Sequence, residues 1–139
     1  NRRAYRELLF TTPGLKDWIS GTILFDETLM EHKTKDGSKR LADLLLEQGI
    51  IIGIKVDAGL KPLPGSNGEV ACTGLDGLAE RCQKYYAAGA RFAKWRAAYT
   101  IDLAANKPSE LVVKEQAWGL ARYAAIVRQM VCAQSLNLK

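Results

Sequence analysis

Lys55, Lys94 and Arg96 are the residues whose type and spacing could do chemistry. Side chains alternate across a β-strand, so in the run 90–99 the residues Phe92, Lys94 and Arg96 share one face, while Ala93, Trp95 and Ala97 share the other. The β-branched run 50–56 repeats the theme with Ile51, Gly53 and Lys55, followed by Asp57. An ammonium in an apolar setting is strongly disfavoured unless it is paired. Either Trp95 faces inward and the cations are solvated or ion-paired, or the cations converge on a ligand. Ligands of parallel α/β folds bind at the carboxyl ends of the strands, so if the two runs are neighbouring strands the three cations meet at one mouth. Such a mouth suits a multiply anionic ligand, phosphate foremost, with arginine as a bidentate fork and lysine as a point charge. Desolvation and neighbouring cations would also lower a lysine pKa towards nucleophilic or acid–base use. Asp26 and Asp57, each at the end of a strand, are the candidate carboxylates, with a loop cap or an ion-pair partner as the other reading of both.

The elements that must position these groups follow from periodicity and punctuation. Residues 1–10 read as a helix with Tyr5, Leu8 and Leu9 at helical spacing, stopped by Thr12-Pro13-Gly14. Residues 21–26 read as a strand covered on both faces, and the polar residues 27–38 as a loop ending at Asp36-Gly37. A helix over 39–48 carries Leu41, Leu44 and Leu45 on one stripe, with Gly49 at its end. The second strand, 50–56, leads into a long loop containing Pro62, Pro64 and Gly65-Ser66-Asn67-Gly68. A helix over 75–88 closed by Gly89 precedes the third strand, 90–99, and Pro108-Ser109-Glu110 opens a long helix to about residue 129. Strands alternating with helices imply right-handed crossovers and a parallel sheet. The expected fold class is therefore α/β, with about three parallel strands and flanking helices. Three strands should leave at least one apolar sheet edge and helix face uncovered.

Composition narrows the partners. With 47% hydrophobic and 25% charged residues the 139-residue chain is an ordinary globular one, well short of the roughly 250 residues of a complete eight-fold β/α barrel. Its 20 basic against 15 acidic residues give a net charge of +5, which suits a small anion. The basic residues form no run and accompany no helix-turn-helix or zinc-finger spacing, so no nucleic acid partner is expected. Cys72, Cys82 and Cys132 lack a CxxC pair and His32 is the single histidine, so neither a disulfide framework nor a metal site is expected. No stretch has the length and apolarity of a membrane span or of a signal-peptide core, which points to a reducing, aqueous compartment. Gly65-Ser66-Asn67-Gly68 matches no phosphate-loop pattern and reads as a turn, and His32 reads as a surface residue. Trp118, Tyr123 and Ile126, at helical spacing, read as packing against a sheet.

Several motifs in order carry a resemblance. Asn1-Arg2-Arg3-Ala4-Tyr5-Arg6, Gly53-Ile54-Lys55-Val56-Asp57-Ala58-Gly59, Gly74-Leu75-Asp76-Gly77-Leu78, Gly89-Ala90-Arg91-Phe92-Ala93-Lys94-Trp95-Arg96 and Leu120-Ala121-Arg122-Tyr123-Ala124 closely resemble class I fructose-1,6-bisphosphate aldolase. The resemblance runs from residue 1 to about 129 and leaves 130–139 as a divergent tail. It implies an incomplete (β/α)8 TIM barrel, about the second to fourth β/α units, with no metal and no cofactor.

The implied activity is cleavage of fructose 1,6-bisphosphate to dihydroxyacetone phosphate and glyceraldehyde 3-phosphate through a lysine Schiff base. On this resemblance Lys94 is the catalytic lysine that contacts substrate and supports carbon–carbon cleavage electrostatically. Lys55 and Arg96 are the cations beside it that hold the substrate and its phosphate, and Arg2 matches a substrate-binding arginine. The family's general acid/base glutamate and its Schiff-base lysine belong to later strands that these residues do not include. The resemblance thus implies an aldolase segment inactive alone, or else a non-catalytic aldolase-like chain acting as a structural or interaction subunit. The implied partners are fructose 1,6-bisphosphate, triose phosphates and further copies in a homo-oligomer, a tetramer in many relatives. The implied location is the cytoplasm or a plastid or other organelle, with no targeting segment in the given residues.

Overall fold

The computed structural model describes residues 1–135. The chain divides into two compact units, the first made of residues 1–55 with 82–94, the second of residues 56–81 with the chain from Trp95 onward.

The first unit is built on a parallel sheet of β1 (Gly21–Leu24), β2 (Ile51–Lys55) and β5 (Ala90–Lys94), in the order β1-β2-β5. One face is packed: Leu24, Ile52, Ile54 and Ala90 are buried together with Leu29, Leu41 and Leu45 of the helices α2 (Asp26–Met30) and α3 (Leu41–Glu47). Each fully buried leucine contributes about 1.5–3 kcal/mol by leaving water. The stripe read at 41, 44 and 45 thus marks the packed face of α3, and Gly49 ends that helix while the Ile50 N–H closes back onto the Leu45 carbonyl at 3.0 Å. Helix α1 (Arg2–Phe10) packs against α3.

The other face is uncovered, so β1 is not the strand covered on both faces that its apolar sequence suggested. Ile23, Ile51 and Phe92 remain 40–51% exposed on it. The Phe92 ring lies across Gly53 so closely that a β-carbon there would sit 2.3 Å from the ring, and it reaches Gly21 on β1. Glycine is needed at Gly53 because the ring occupies the space of a side chain.

In the second unit β3 (Leu60–Pro62) and β4 (Val70–Cys72) form an antiparallel hairpin. The long helix α5 (Glu110–Ser135) packs on β4, burying Val112 and Gln116. Gln116 donates to the carbonyls of Val70 (3.3 Å) and Ala98 (2.7 Å) and accepts the Cys72 N–H (3.4 Å), tying hairpin, helix and the 95–98 segment into one piece. Arg81, in the first turn of α4 (Leu78–Ala87), which belongs to this unit, donates through its guanidinium to the Val56 carbonyl at 2.9 Å and to that of Gly74, while the helix from Cys82 onward belongs to the first unit.

Five expectations are corrected. Residues 27–38 are not all loop, because Asp26–Met30 makes a short helix that buries Thr28 and Leu29. The long loop after β2 contains the hairpin, with the glycine-rich 65–68 segment as its turn. The third strand stops at Lys94 instead of running to Tyr99, since its ladder with β2 ends where β2 ends. Trp118 is 68% exposed and so is not packed away as expected, whereas Tyr123 stacks on Trp95 with ring centroids 5.2 Å apart. Helix α5 runs to Ser135, past its expected end near residue 129, and residues 136–139 lie outside the described residues.

Candidate functional site

The carboxyl end of the first unit's sheet gathers the charged residues. Lys55 and Lys94 are the last residues of β2 and β5 and stand in register as neighbours, Lys55 opposite Lys94. Adjacent strands are about 4.8 Å apart, so two ammonium stems leave the sheet side by side from the face that carries Phe92. Like charges so placed repel. An anion held between them would turn that repulsion into attraction.

Two further elements close on this end. Phe25 and α2 follow directly after β1, and the Phe25 ring takes Lys55 Nζ at 5.8 Å and the Arg6 guanidinium carbon at 5.6 Å from its centroid. Both distances are in cation–π range. Glu27, in the first turn of α2, accepts from Arg6 Nη1 at 2.7 Å through Oε1, and Arg2 Nη1 lies 3.3 Å from the same oxygen. The hydrogen bond from Arg6 holds the Glu27 carboxyl below its ordinary pKa, so it is an anion at neutral pH. Arg2 and Arg6 meet one partner because residues four apart lie on the same side of a helix.

Of the sequence-predicted residues, the structure brings Lys55 and Lys94 together and sets Arg2 on α1 beside α2, at the carboxyl end of β1. Arg96 does not share the strand face with Lys94. It lies two residues past the end of the ladder, exposed, in the second unit. Without hydrogen bonds to a neighbouring strand nothing maintains the pleat that the alternation assumed. Asp26 is exposed at the start of α2. Asp57 is buried and accepts the Gly59 N–H at 3.2 Å through Oδ1, the loop-capping alternative. His32 is half-buried, with Nδ1 enclosed and lacking a hydrogen-bond partner, so it is not the surface residue expected. Among the described residues no group of three or more histidine, cysteine or acidic side chains is placed to hold a metal ion.

Arg6, Phe25 and Glu27 are the site residues that sequence reasoning missed. Their signal was available only in part: Arg2 and Arg6 have helical i, i+4 spacing, and Phe25 and Glu27 directly follow a strand at its ligand-bearing end.

The family model of class I fructose-bisphosphate aldolase matches residues 1–133. The chain belongs to that family. It is 60% identical over 128 residues to the chloroplastic fructose-bisphosphate aldolase of Spinacia oleracea, covering 92% of this chain and 31% of the relative. It is 58% identical to the cytosolic fructose-bisphosphate aldolase 4 of Arabidopsis thaliana (93% and 32%) and 59% identical to the fructose-bisphosphate aldolase of Dictyostelium discoideum (93% and 36%). The chain thus spans about a third of the length of the curated aldolases it matches. A solved aldolase structure from Plasmodium falciparum, in complex with TRAP and a small molecule inhibitor, superposes with a TM-score of 0.88 at 54% identity, covering 93% of this chain and 37% of that one. The expected fold class therefore stands: a partial α/β barrel of the aldolase type, with parallel strands and flanking helices. The matched relatives include cytosolic and chloroplastic proteins, and among the described residues no helix is long and apolar enough to cross a membrane.

Proposed function

We propose that these residues are the part of a class I fructose-bisphosphate aldolase that holds a phosphorylated sugar and polarises it for cleavage. The observation that carries the reading is the register pair Lys55–Lys94 at the carboxyl end of two parallel strands, in a chain of this family. Lys94 is the catalytic residue of this segment, its ammonium stabilising charge that develops as the carbon–carbon bond breaks. Lys55 and Arg2 bind the substrate and its phosphate groups, and Arg96 keeps its substrate-binding role on the family resemblance alone. The ligands are fructose 1,6-bisphosphate and the triose phosphates, and the protein works as a homo-oligomer in the cytosol or a plastid.

The covalent step needs a Schiff-base lysine and a glutamate acid/base that the family carries on later strands, and these 139 residues alone are therefore catalytically inactive. Titration with fructose 1,6-bisphosphate tests the binding role: Lys94→Ala should weaken binding about tenfold, as expected for one charge-assisted hydrogen bond. Unchanged affinity would remove the site. Borohydride reduction of these residues with dihydroxyacetone phosphate should leave no adduct, and a stoichiometric adduct on any lysine would overturn the assignment of the covalent step.

A second reading, that the chain is a non-catalytic interaction subunit, draws on the exposed apolar face formed by Ile23, Ile51 and Phe92. The intact mass of the native protein separates the two. A mass well above that of these residues supports the enzyme, and an equal mass supports the subunit.

A further inference from the structure

The geometry points to Arg6 and Glu27 as positioning residues that hold the Arg2 guanidinium at the carboxyl end of the sheet for phosphate. This rests on the binding role proposed above. Arg2 is 75% exposed, and an arginine that free samples many rotamers and loses much of that freedom when it grips an anion. Glu27 removes part of the loss in advance, because its Oε1 stands 3.3 Å from Arg2 Nη1. Glu27 can direct Arg2 only if it is itself fixed, and Arg6 fixes it. Arg6 is 15% exposed, donates to that oxygen at 2.7 Å, and has its guanidinium over the Phe25 ring that also receives Lys55. The chain of contacts therefore runs from a ring shared with a substrate lysine, through a mostly buried arginine and one carboxylate oxygen, to the exposed arginine. Two guanidinium groups on one carboxylate leave the cluster net positive, so an anion is still attracted.

Coulomb's law alone gives the opposite expectation for Glu27. Removing a negative charge beside a phosphate site should tighten binding, whereas removing a positioning group should loosen it. The sign of the effect decides. Fructose 1,6-bisphosphate is titrated calorimetrically at low ionic strength into the full native protein and into its Glu27→Ala, Glu27→Gln, Arg2→Ala and Arg2→Ala/Glu27→Ala variants. Glu27→Ala should weaken binding about two- to fivefold, the range of an exposed ion pair. In the Arg2→Ala background the same change should leave affinity equal or tighter. Glu27→Gln, which keeps an acceptor for Arg6, should fall between wild type and Glu27→Ala, and it guards against a fold defect in the alanine variant. Arg6→Lys keeps the charge but loses the fork, and should weaken binding only while Arg2 is present.

Tighter binding by Glu27→Ala in both backgrounds overturns the proposal. If Lys55→Met and Lys94→Met leave affinity unchanged while the Arg2–Glu27 coupling persists, the role of the lysines fails and the positioning role stands. If the lysines matter and the coupling is absent, the positioning role fails alone. A wild-type protein that binds no fructose 1,6-bisphosphate overturns both.

Discussion

Replacing Gly53 by alanine tests the link between a missing side chain and the face that carries the lysines. The added β-carbon would lie 2.3 Å from Cε2 and 2.4 Å from Cζ of Phe92. Carbon atoms in contact sit about 3.5–4.0 Å apart, so the ring must retreat by about 1.2 Å at least. Phe92 is 40% exposed, which lets it swing towards solvent but forfeits its seat over β2. Inserting a methyl group into such a fit costs about 1–3 kcal/mol. Alanine recovers about 0.5–1 kcal/mol in a strand by restricting the unfolded chain. The net expectation is a loss of about 1–2 kcal/mol. Urea denaturation followed by far-ultraviolet circular dichroism reads it, and the decisive comparison is the same substitution in a Phe92→Ala background. There the obstacle is gone, and Gly53→Ala should be neutral or stabilising by up to about 1 kcal/mol. Equal destabilisation in both backgrounds would refute the account, because the cost would then come from the backbone and not from the ring.

Two other perturbations have expected outcomes in the loops. Gly74 has φ +120°, and a β-carbon there would lie 2.7 Å from the Ala58 backbone nitrogen, which cannot swing aside. Gly74→Ala should therefore cost about 3 kcal/mol by the same denaturation measurement, and a loss below half of that would show that the 57–59 and 73–75 segments are free to separate. The Asp36 carboxyl is lowered to about 2 by hydrogen bonds from the Thr34 hydroxyl and from the Ser38 N–H and hydroxyl. A depressed carboxylate stabilises the folded loop above its ordinary pKa, and that contribution disappears as pH falls through about 2. Amide hydrogen exchange in residues 34–39 should accelerate on acidification below about pH 4 beyond its intrinsic pH dependence. Asp36→Asn should abolish that excess, and an excess that persists in the variant would assign it to other groups.

Local pattern determined much of this protein before any tertiary contact was known. The leucines of α3 and their glycine stop, the three parallel strands, and the shared face of Gly53 and Lys55 all follow from period and punctuation, which are properties of a few consecutive residues. The candidate site was legible as far as Lys55 and Lys94, because both fall within strands long enough for alternation to hold. It failed at Arg96, since a strand ends where its partner ends, and β2 stops opposite Lys94. It failed again at Glu27, where a five-residue helix too short to show a period exists because Thr28 and Leu29 are buried. The hairpin strands, three residues each, lie below the length at which alternation can be read, and Gln116 secures β4 by hydrogen bonds from more than forty residues away. Which arginine meets which carboxylate was likewise decided only in three dimensions. Sequence spacing places Arg2 and Arg6 on one side of α1, but the Glu27 oxygen they share reaches them only when α1 and α2 meet beside the end of β1.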